Sequence, residues 1–292
     1  MEFRQLQFFL EVAKQESFTK AAKEQLVAQP AISKSIQNLE NELGVYLFNR
    51  RDKRVVLTTE GKRFLSHAKA IQEQVEAAKL EMEEFRGFEK GEVTIGLPSM
   101  AGSYFFPNII VDFKSIYPHL SLSIVEAGTK KIQAMIEEGE IDMGVIIIDE
   151  HTPHTLELLP FLSEEMVVCV PVTHKLANQA TMTYEQLANE PLVLFKEGYY
   201  QRDIISEAGK KSNITPTVSL ETNQISLTKS LTRKGLGITL FLKMVISDDD
   251  DLVPVSLDPP RFLQLGLAWK KRSYLSKANQ AFIDFLMEQT NQ

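Results

Sequence analysis

The reading of the chain turns on SFTKAAKEQLVAQPAISKSIQNLENELGVYLFNR, residues 17–50. Two short apolar-periodic runs flank LVAQP, which is too short for a strand and too polar for a core. Ser17 or Thr19 can cap a helix over Lys20–Gln25, where Ala21 and Ala22 permit close helix contact. A second helix begins near Gln29. Pro30 suits its first turn, where the missing N–H has no partner inside the helix anyway. Ala31, Ile32, Ile36, Leu39 and Leu43 are expected on its buried face, and Gly44 ends it.

Working outward, Phe3, Leu6, Phe9, Leu10 and Ala13 recur at three- and four-residue steps and describe one more amphipathic helix. Downstream, VYLFNRRDKRVVLT has two apolar arms around NRRDKR, which predicts a hairpin with a strongly basic tip. Helix–turn–helix followed by a basic hairpin is the winged helix-turn-helix pattern, expected over residues 1–58. From 59 to 88 a long helix follows. Phe64, Ala68, Ile71, Val75, Ala78, Met82 and Phe85 alternate steps of four and three, a heptad seam that predicts a dimerising linker helix. The plainer alternative is a long helix lying on its own domain.

Composition limits what the remainder can be. The overall charge is −7, yet residues 1–69 carry +4, leaving −11 on the rest. A basic head can approach phosphate and an acidic body cannot. No run of 18 apolar residues suggests a membrane span, and the first residues do not read as a signal peptide. Cys169 is the single cysteine, which excludes an intramolecular disulfide or a thiolate zinc cluster. Cytoplasmic residence is expected.

After RGFEKGE, the chain alternates strands and helices: VTIGLP, PNIIVDFKSIYP, LSLSIVEAG, TKKIQAMIEEGEI and DMGVIII. MVVCVPV opens a second such set, which closes with GITLFL, QLGLAWKK and SKANQAFIDFLMEQ. This alternation predicts a parallel, doubly wound sheet. DDDD at 248–251 reads as a solvated loop.

The segment FFLEVAKQESFTKAAKEQLVAQPAISKSIQNLENELGVYLFNRRDKRVVLTTEG resembles the N-terminal signature of the LysR-type transcriptional regulators. The linker helix, GEVTIGLP and RKGLGIT match that family's layout behind it. The resemblance implies a mixed fold: an all-α winged helix-turn-helix, a linker helix, and an α/β effector domain over 91–292. That domain would have two Rossmann-like subdomains, 91–161 plus 267–292 and 162–266, shaped like a periplasmic binding protein. It further implies a homodimer paired through the linker helix, assembled as a homotetramer on double-stranded promoter DNA at the bacterial nucleoid. A small organic co-inducer would change the DNA bend, with no cofactor or metal.

The expected site residues follow. On the recognition helix, the outward positions Gln29, Ser33, Lys34 and Gln37 are candidates for base contact, because Gln pairs with adenine and Lys donates to guanine. Ser17, Thr19, Arg50, Arg51, Lys53 and Arg54 are candidates for phosphate contact, which positions the protein without reading sequence. The resemblance puts Ser or Thr where this chain has Ala28, a loss of about 1 kcal/mol of helix capping. In the effector domain, ligands are expected at strand-to-helix corners. Ser99 and Met100 follow the first strand, Thr129 the second, and Phe195, Lys196 and Arg202 a later one. Family members commonly bind an effector carboxylate at the first corner, so an anionic effector is expected, with Lys196 and Arg202 completing its site. Ser99 and Thr129 also read as plain helix caps, Arg202 as an inter-lobe salt bridge, and Asn223 as a cap whose side chain faces the cleft.

No HExxH, G-x-S-x-G, P-loop or G-x-G-x-x-G is present, so no enzyme is expected. A transport module would require a signal peptide and no basic head. An architectural DNA binder with a degenerate, ligand-free sensor is the other reading.

Overall fold

The computed structural model describes residues 1–49, 55–85, 91–271 and 273–290. The chain divides into two compact units, Met1–Gly87 and Phe88–Gln292.

In the first unit, α1 (Phe3–Gln15), α2 (Phe18–Glu24) and α3 (Gln29–Leu43) precede a minimal hairpin, β1 (Phe48–Asn49) and β2 (Val56–Leu57), and a long α4 (Thr59–Phe85). Helix α2 starts two residues earlier than Lys20. Ser17 is its cap, its Oγ accepting the Lys20 N–H at 3.3 Å, while Thr19 lies exposed in the first turn. The earlier start buries Phe18, which meets Phe48 at 5.8 Å between ring centroids. Phe9 sits at the centre, 5.3 Å from Phe48 and 5.0 Å from Phe64 of α4. Each such ring, fully buried, contributes roughly 1.5–3 kcal/mol.

The buried face of α3 differs from expectation at both ends. Ile32, Ile36 and Leu39 are fully buried, but Ala31 and Leu43 are exposed. In their place Glu40 turns inward, and its Oε1 accepts the N–H groups of Leu47 (2.8 Å) and Phe48 (3.2 Å). An apolar-only pattern misses it, because the carboxylate is buried to satisfy two backbone donors that would otherwise be orphaned. Beside this strand, Gly61 is obligatory: a Cβ there would lie 2.0 Å from the Leu47 carbonyl oxygen. The wing pairs Phe48 with Leu57 and Asn49 with Val56. Its basic tip, with Arg50, Arg51, Lys53 and Arg54, lies outside the described residues.

The second unit runs β3 (Glu92–Leu97), α5 (Ser99–Tyr104), α6 (Phe106–Ile116), β4 (Ser121–Glu126), α7 (Thr129–Glu138), β5 (Met143–Ile147) and β6 (Leu156–Pro171). It continues with β7 (Thr181–Thr183), α8 (Tyr184–Ala188), β8 (Leu192–Leu194), α9 (Tyr200–Ser212) and β9 (Val218–Glu221). Then come α10 (Ile225–Arg233), β10 (Thr239–Leu242), β11 (Leu252–Lys270) and α11 (Lys277–Thr290).

The sheet is not the parallel one expected. Its order is β10-β6-β11-β5-β3-β4 with β7 on β11, and β11 runs antiparallel to both β5 and β6. Parallel pairing occurs at β3/β4, β3/β5, β7/β11 and the separate β8/β9, with one parallel bridge between Leu192 and Ile238. The difference comes from β6 and β11, which are far longer than their apolar cores MVVCVPV and QLGLAWKK. The pair absorbs Pro259 and Pro260 through a register shift between Ser256 and Arg261, where Pro need not donate to a neighbour. The expected subdomain boundaries at 161/162 and 266/267 fall inside these continuous strands, where Leu162 faces Leu265. Nor is DDDD wholly solvated, since the Asp249 side chain is 5% exposed and paired with Arg233 and with Lys229 at 3.3 Å. Burial pushes the Asp249 carboxyl up, but those partners outweigh it and hold it below its ordinary range.

No described helix is long and apolar enough to cross a membrane. Leu26, in the turn between α2 and α3, adopts φ +54° and is 92% exposed. A leucine in the left-handed region costs roughly 1 kcal/mol that Asn largely avoids. Leu26→Asn should therefore raise the thermal midpoint of the DNA head by a few degrees in circular-dichroism melts of the intact chain.

Candidate functional site

On α3, Gln29, Lys34 and Gln37 are exposed and Ser33 is half-buried. Gln29 Nε2 donates to Ser33 Oγ at 2.8 Å, so the two residues nearest the helix tip are coupled. Ala28 precedes the helix with no side-chain cap, Pro30 has no N–H to satisfy, and the Ala31 N–H donates to the Ala28 carbonyl at 2.9 Å. Of the phosphate candidates, Ser17 Oγ already serves the backbone of α2, and Thr19 is open.

The heptad seam of α4 is divided. Ala68 is fully buried in the core of the head, with Phe64 and Ile71 packed against it. Further along, Ile71, Val75, Ala78 and Met82 line a shallow apolar strip edged by His67 and Gln74. The side chain of Phe85 is outside the described set. One helical stripe thus serves the head at one end and is left uncovered at the other, which spacing alone does not distinguish.

The effector unit gathers residues from its three corners. Ser99 and Met100 at the start of α5, Thr129 at the start of α7 and Phe195 after β8 all line one cavity of about 50 Å³. Ser99 is buried and its Oγ lies 2.6 Å from Glu126 Oε1, a hydroxyl donating to a carboxylate. Met100 Sδ accepts the Leu242 N–H at 3.3 Å. Neither Ser99 nor Thr129 caps a helix; the caps of α5 and α7 are Pro98 and Gly128.

Three expected members lie elsewhere. Lys196 is exposed and absent from the lining. Arg202 pairs with Glu221 and borders a separate surface groove with Glu197 and Asp203. Asn223 caps nothing: α10 begins after Gln224 without a side-chain cap, and Asn223 Oδ1 instead accepts the Lys196 N–H at 2.9 Å, tying two loops together. A loop carbonyl-like acceptor placed opposite an unpaired backbone N–H satisfies both groups better than a helix end open to water.

The corner expected from Phe195 to Arg202 also supplies Tyr199, Tyr200 and Gln201 to the lining, three residues within it that the sequence did not single out. Gln201 is 1% exposed, its Nε2 donates to the Leu240 carbonyl, and its Oε1 has no partner. Tyr200 Oη accepts from Arg261 Nη2 (2.6 Å) and Nε (3.1 Å).

Besides the Met100–Leu242 hydrogen bond and Lys229 over the Tyr104 ring at 5.2 Å, the lobes meet through the start of α7. Lys130 of α7 pairs with Asp203 of α9 at 2.8 Å. A Cβ on Gly128 would stand 2.4 Å from the Gly198 carbonyl oxygen, although Gly128 has an ordinary φ of −70°. Its backbone could take alanine, so the glycine is required by the approach of the opposite lobe. Cys169 plays no part: it is fully buried, and burial pushes its thiol up to about 12. Among the described residues no group of acidic, His or Cys side chains could hold a metal.

A model of the bacterial regulatory helix-turn-helix domain, lysR family, matches residues 3–62, and one of the LysR substrate binding domain matches residues 86–291. The chain belongs to the LysR family. It is a DNA-binding transcription regulator, not an enzyme. The HTH-type regulator YwbI of Bacillus subtilis (strain 168) is 33% identical over 290 residues, covering 97% of this chain and 95% of its own. Full-length OxyR from Pseudomonas aeruginosa shares the fold with a TM-score of 0.70 at 24% identity, over 98% of this chain and 94% of that one. CbnR, solved full-length with its target DNA, gives 0.63 at 22% identity over 99% of each chain.

Two outcomes follow. Arg51→Ala should weaken binding to all DNA sequences alike and reduce the slope of log affinity against log salt by about 0.9, measured by fluorescence anisotropy across a salt series. Gly128→Ala should hold the lobes apart, so that amides of residues 198–203 exchange hydrogen several-fold faster than in the native chain; unchanged exchange would show that the lobes do not depend on this approach.

Proposed function

We propose that this LysR-family regulator binds promoter DNA as a homo-oligomer and is switched by a small organic effector held between the two lobes of its second unit. The observation that carries the effector half is the convergence of three strand-to-helix corners on one cavity: Ser99 and Met100, Thr129, and Phe195. A ligand that favours one lobe arrangement over another shifts that equilibrium by its differential affinity, and by no more.

Base contact is assigned to Gln29, Ser33, Lys34 and Gln37 because they occupy the outward face and tip of α3. Phosphate contact is assigned to Thr19 and to the basic wing tip, with Ser17 engaged through its backbone neighbourhood. Self-association is supported by the uncovered strip of Val75, Ala78 and Met82, which a second α4 would cover with the same residues; pairing of two such dimers gives the tetramer. Cytoplasmic residence follows from the DNA partner. An anionic effector would take Ser99 as its hydroxyl donor, in which case its carboxylate must displace Glu126.

The architectural alternative is favoured by one observation, the small size of the closed cavity, about 50 Å³ against the roughly 300–1,000 Å³ of ordinary ligand sites. DNase footprinting of the full-length protein on the promoter beside its own gene separates the two. An extended footprint that shortens with one metabolite from a panel of organic acids, amines and amino acids supports the effector reading. A footprint unmoved by every member establishes the architectural one.

A further inference from the structure

Two polar side chains at the cleft already commit a donor within the protein. Ser99 gives its only proton to Glu126, and Gln201 gives its amide N–H to the Leu240 carbonyl. What the cleft offers instead is an acceptor: Gln201 Oε1, on a side chain 1% exposed, has no partner. The assignment of oxygen and nitrogen is set by chemistry, since a flipped amide would place two oxygens together at Leu240. A buried acceptor without a donor costs roughly 1–3 kcal/mol, so a ligand N–H placed there recovers a penalty the fold carries without it.

Charge points the same way. Among the described residues no Lys or Arg side chain lines the cavity. Lys130 pairs with Asp203 and Arg202 with Glu221, while Arg261 lies behind the lining, over the Tyr200 ring at 5.6 Å and bonded to its hydroxyl. One hydrogen bond from the lining stands the Glu126 carboxylate. Phe195 and Tyr199 contribute two aromatic rings, edge to face at 5.2 Å, and the Tyr200 ring already carries Arg261. Aromatic walls, an orphan acceptor and an adjacent carboxylate are the elements that hold an organic ammonium, through ring quadrupole, hydrogen bond and charge respectively.

We infer that the cleft takes its effector through a protonated primary amine, with Gln201 Oε1 as acceptor and Glu126 as counter-charge. This rests on the reading of the cleft as an effector site and names the chemistry of that site. The ammonium group is the end that enters; apolar surface from Met100 and Leu265 receives the carbon chain.

The test measures thermal midpoints of the full-length protein with propylammonium chloride, propanamide and sodium propionate, each matched in ionic strength with sodium chloride. Near saturation, propylammonium should raise the midpoint by about 3 °C and propionate should not. Gln201→Met should abolish the rise. Because Gln201 is buried, Glu126→Gln provides an independent arm: it lies on an exposed residue, keeps an acceptor for Ser99, and should lose at least half of the rise. A rise with propionate, or with propanamide but not propylammonium, overturns the ammonium assignment and leaves the effector reading standing. No rise with any of the three also overturns the assignment, whereas the effector reading falls only if the promoter footprint responds to no compound. A propylammonium rise that survives both substitutions overturns the roles given to Gln201 and Glu126.

Discussion

Strands β6 and β11 run antiparallel past one another from the pair Leu252–Pro171 to the pair Lys270–Leu156, and the effector unit is organised around that ladder. One end of the ladder borders β10 and β7, the other borders β5 and through it β3 and β4. Two lobes are thereby built on one continuous hydrogen-bonded ribbon. A continuous ribbon resists shear between the lobes but can bend or twist, and it has irregularities at Ser256/Arg261 and Leu265/Gly266. The second lies beside Leu265, which lines the cleft.

The cleft reflects that architecture. Its residues come from helix starts on both sides of the ribbon, and its closure depends on small groups meeting across it. Gly128 against the Gly198 carbonyl allows backbone to approach backbone, and Lys130–Asp203 adds an exposed ion pair worth less than about 1 kcal/mol. Met100 accepting the Leu242 N–H and Lys229 over the Tyr104 ring add to that closure, and a ligand shifts it only by its differential affinity for the two arrangements.

The DNA head is arranged on a similar economy. Glu40, buried to serve two backbone N–H groups, connects the end of α3 to the start of the wing. Phe9, Phe48 and Phe64 join α1, the wing and α4 in one aromatic cluster. The long helix therefore leaves the head rigidly, with its nearer heptad positions buried there and the farther ones uncovered.

Much was legible from sequence alone. The spacing around LVAQP, with Pro30 at a helix start and Gly44 at its end, determined the helix-turn-helix, because capping and periodicity are local and act within a few residues. The heptad seam determined a long α4, and the LysR signature determined the family. Tertiary structure decided the rest. It set β11 antiparallel to β5 and β6, since pairing direction depends on partners 81 to 126 residues away. It turned Glu40 inward in place of Leu43, because the need lay in the backbone of another element. It removed Lys196, Arg202 and Asn223 from the cavity and brought in Gln201, Tyr199 and Tyr200. A side chain's type shows what it can bond. Which groups it meets follows from packing across distant segments, and that is absent from any local pattern.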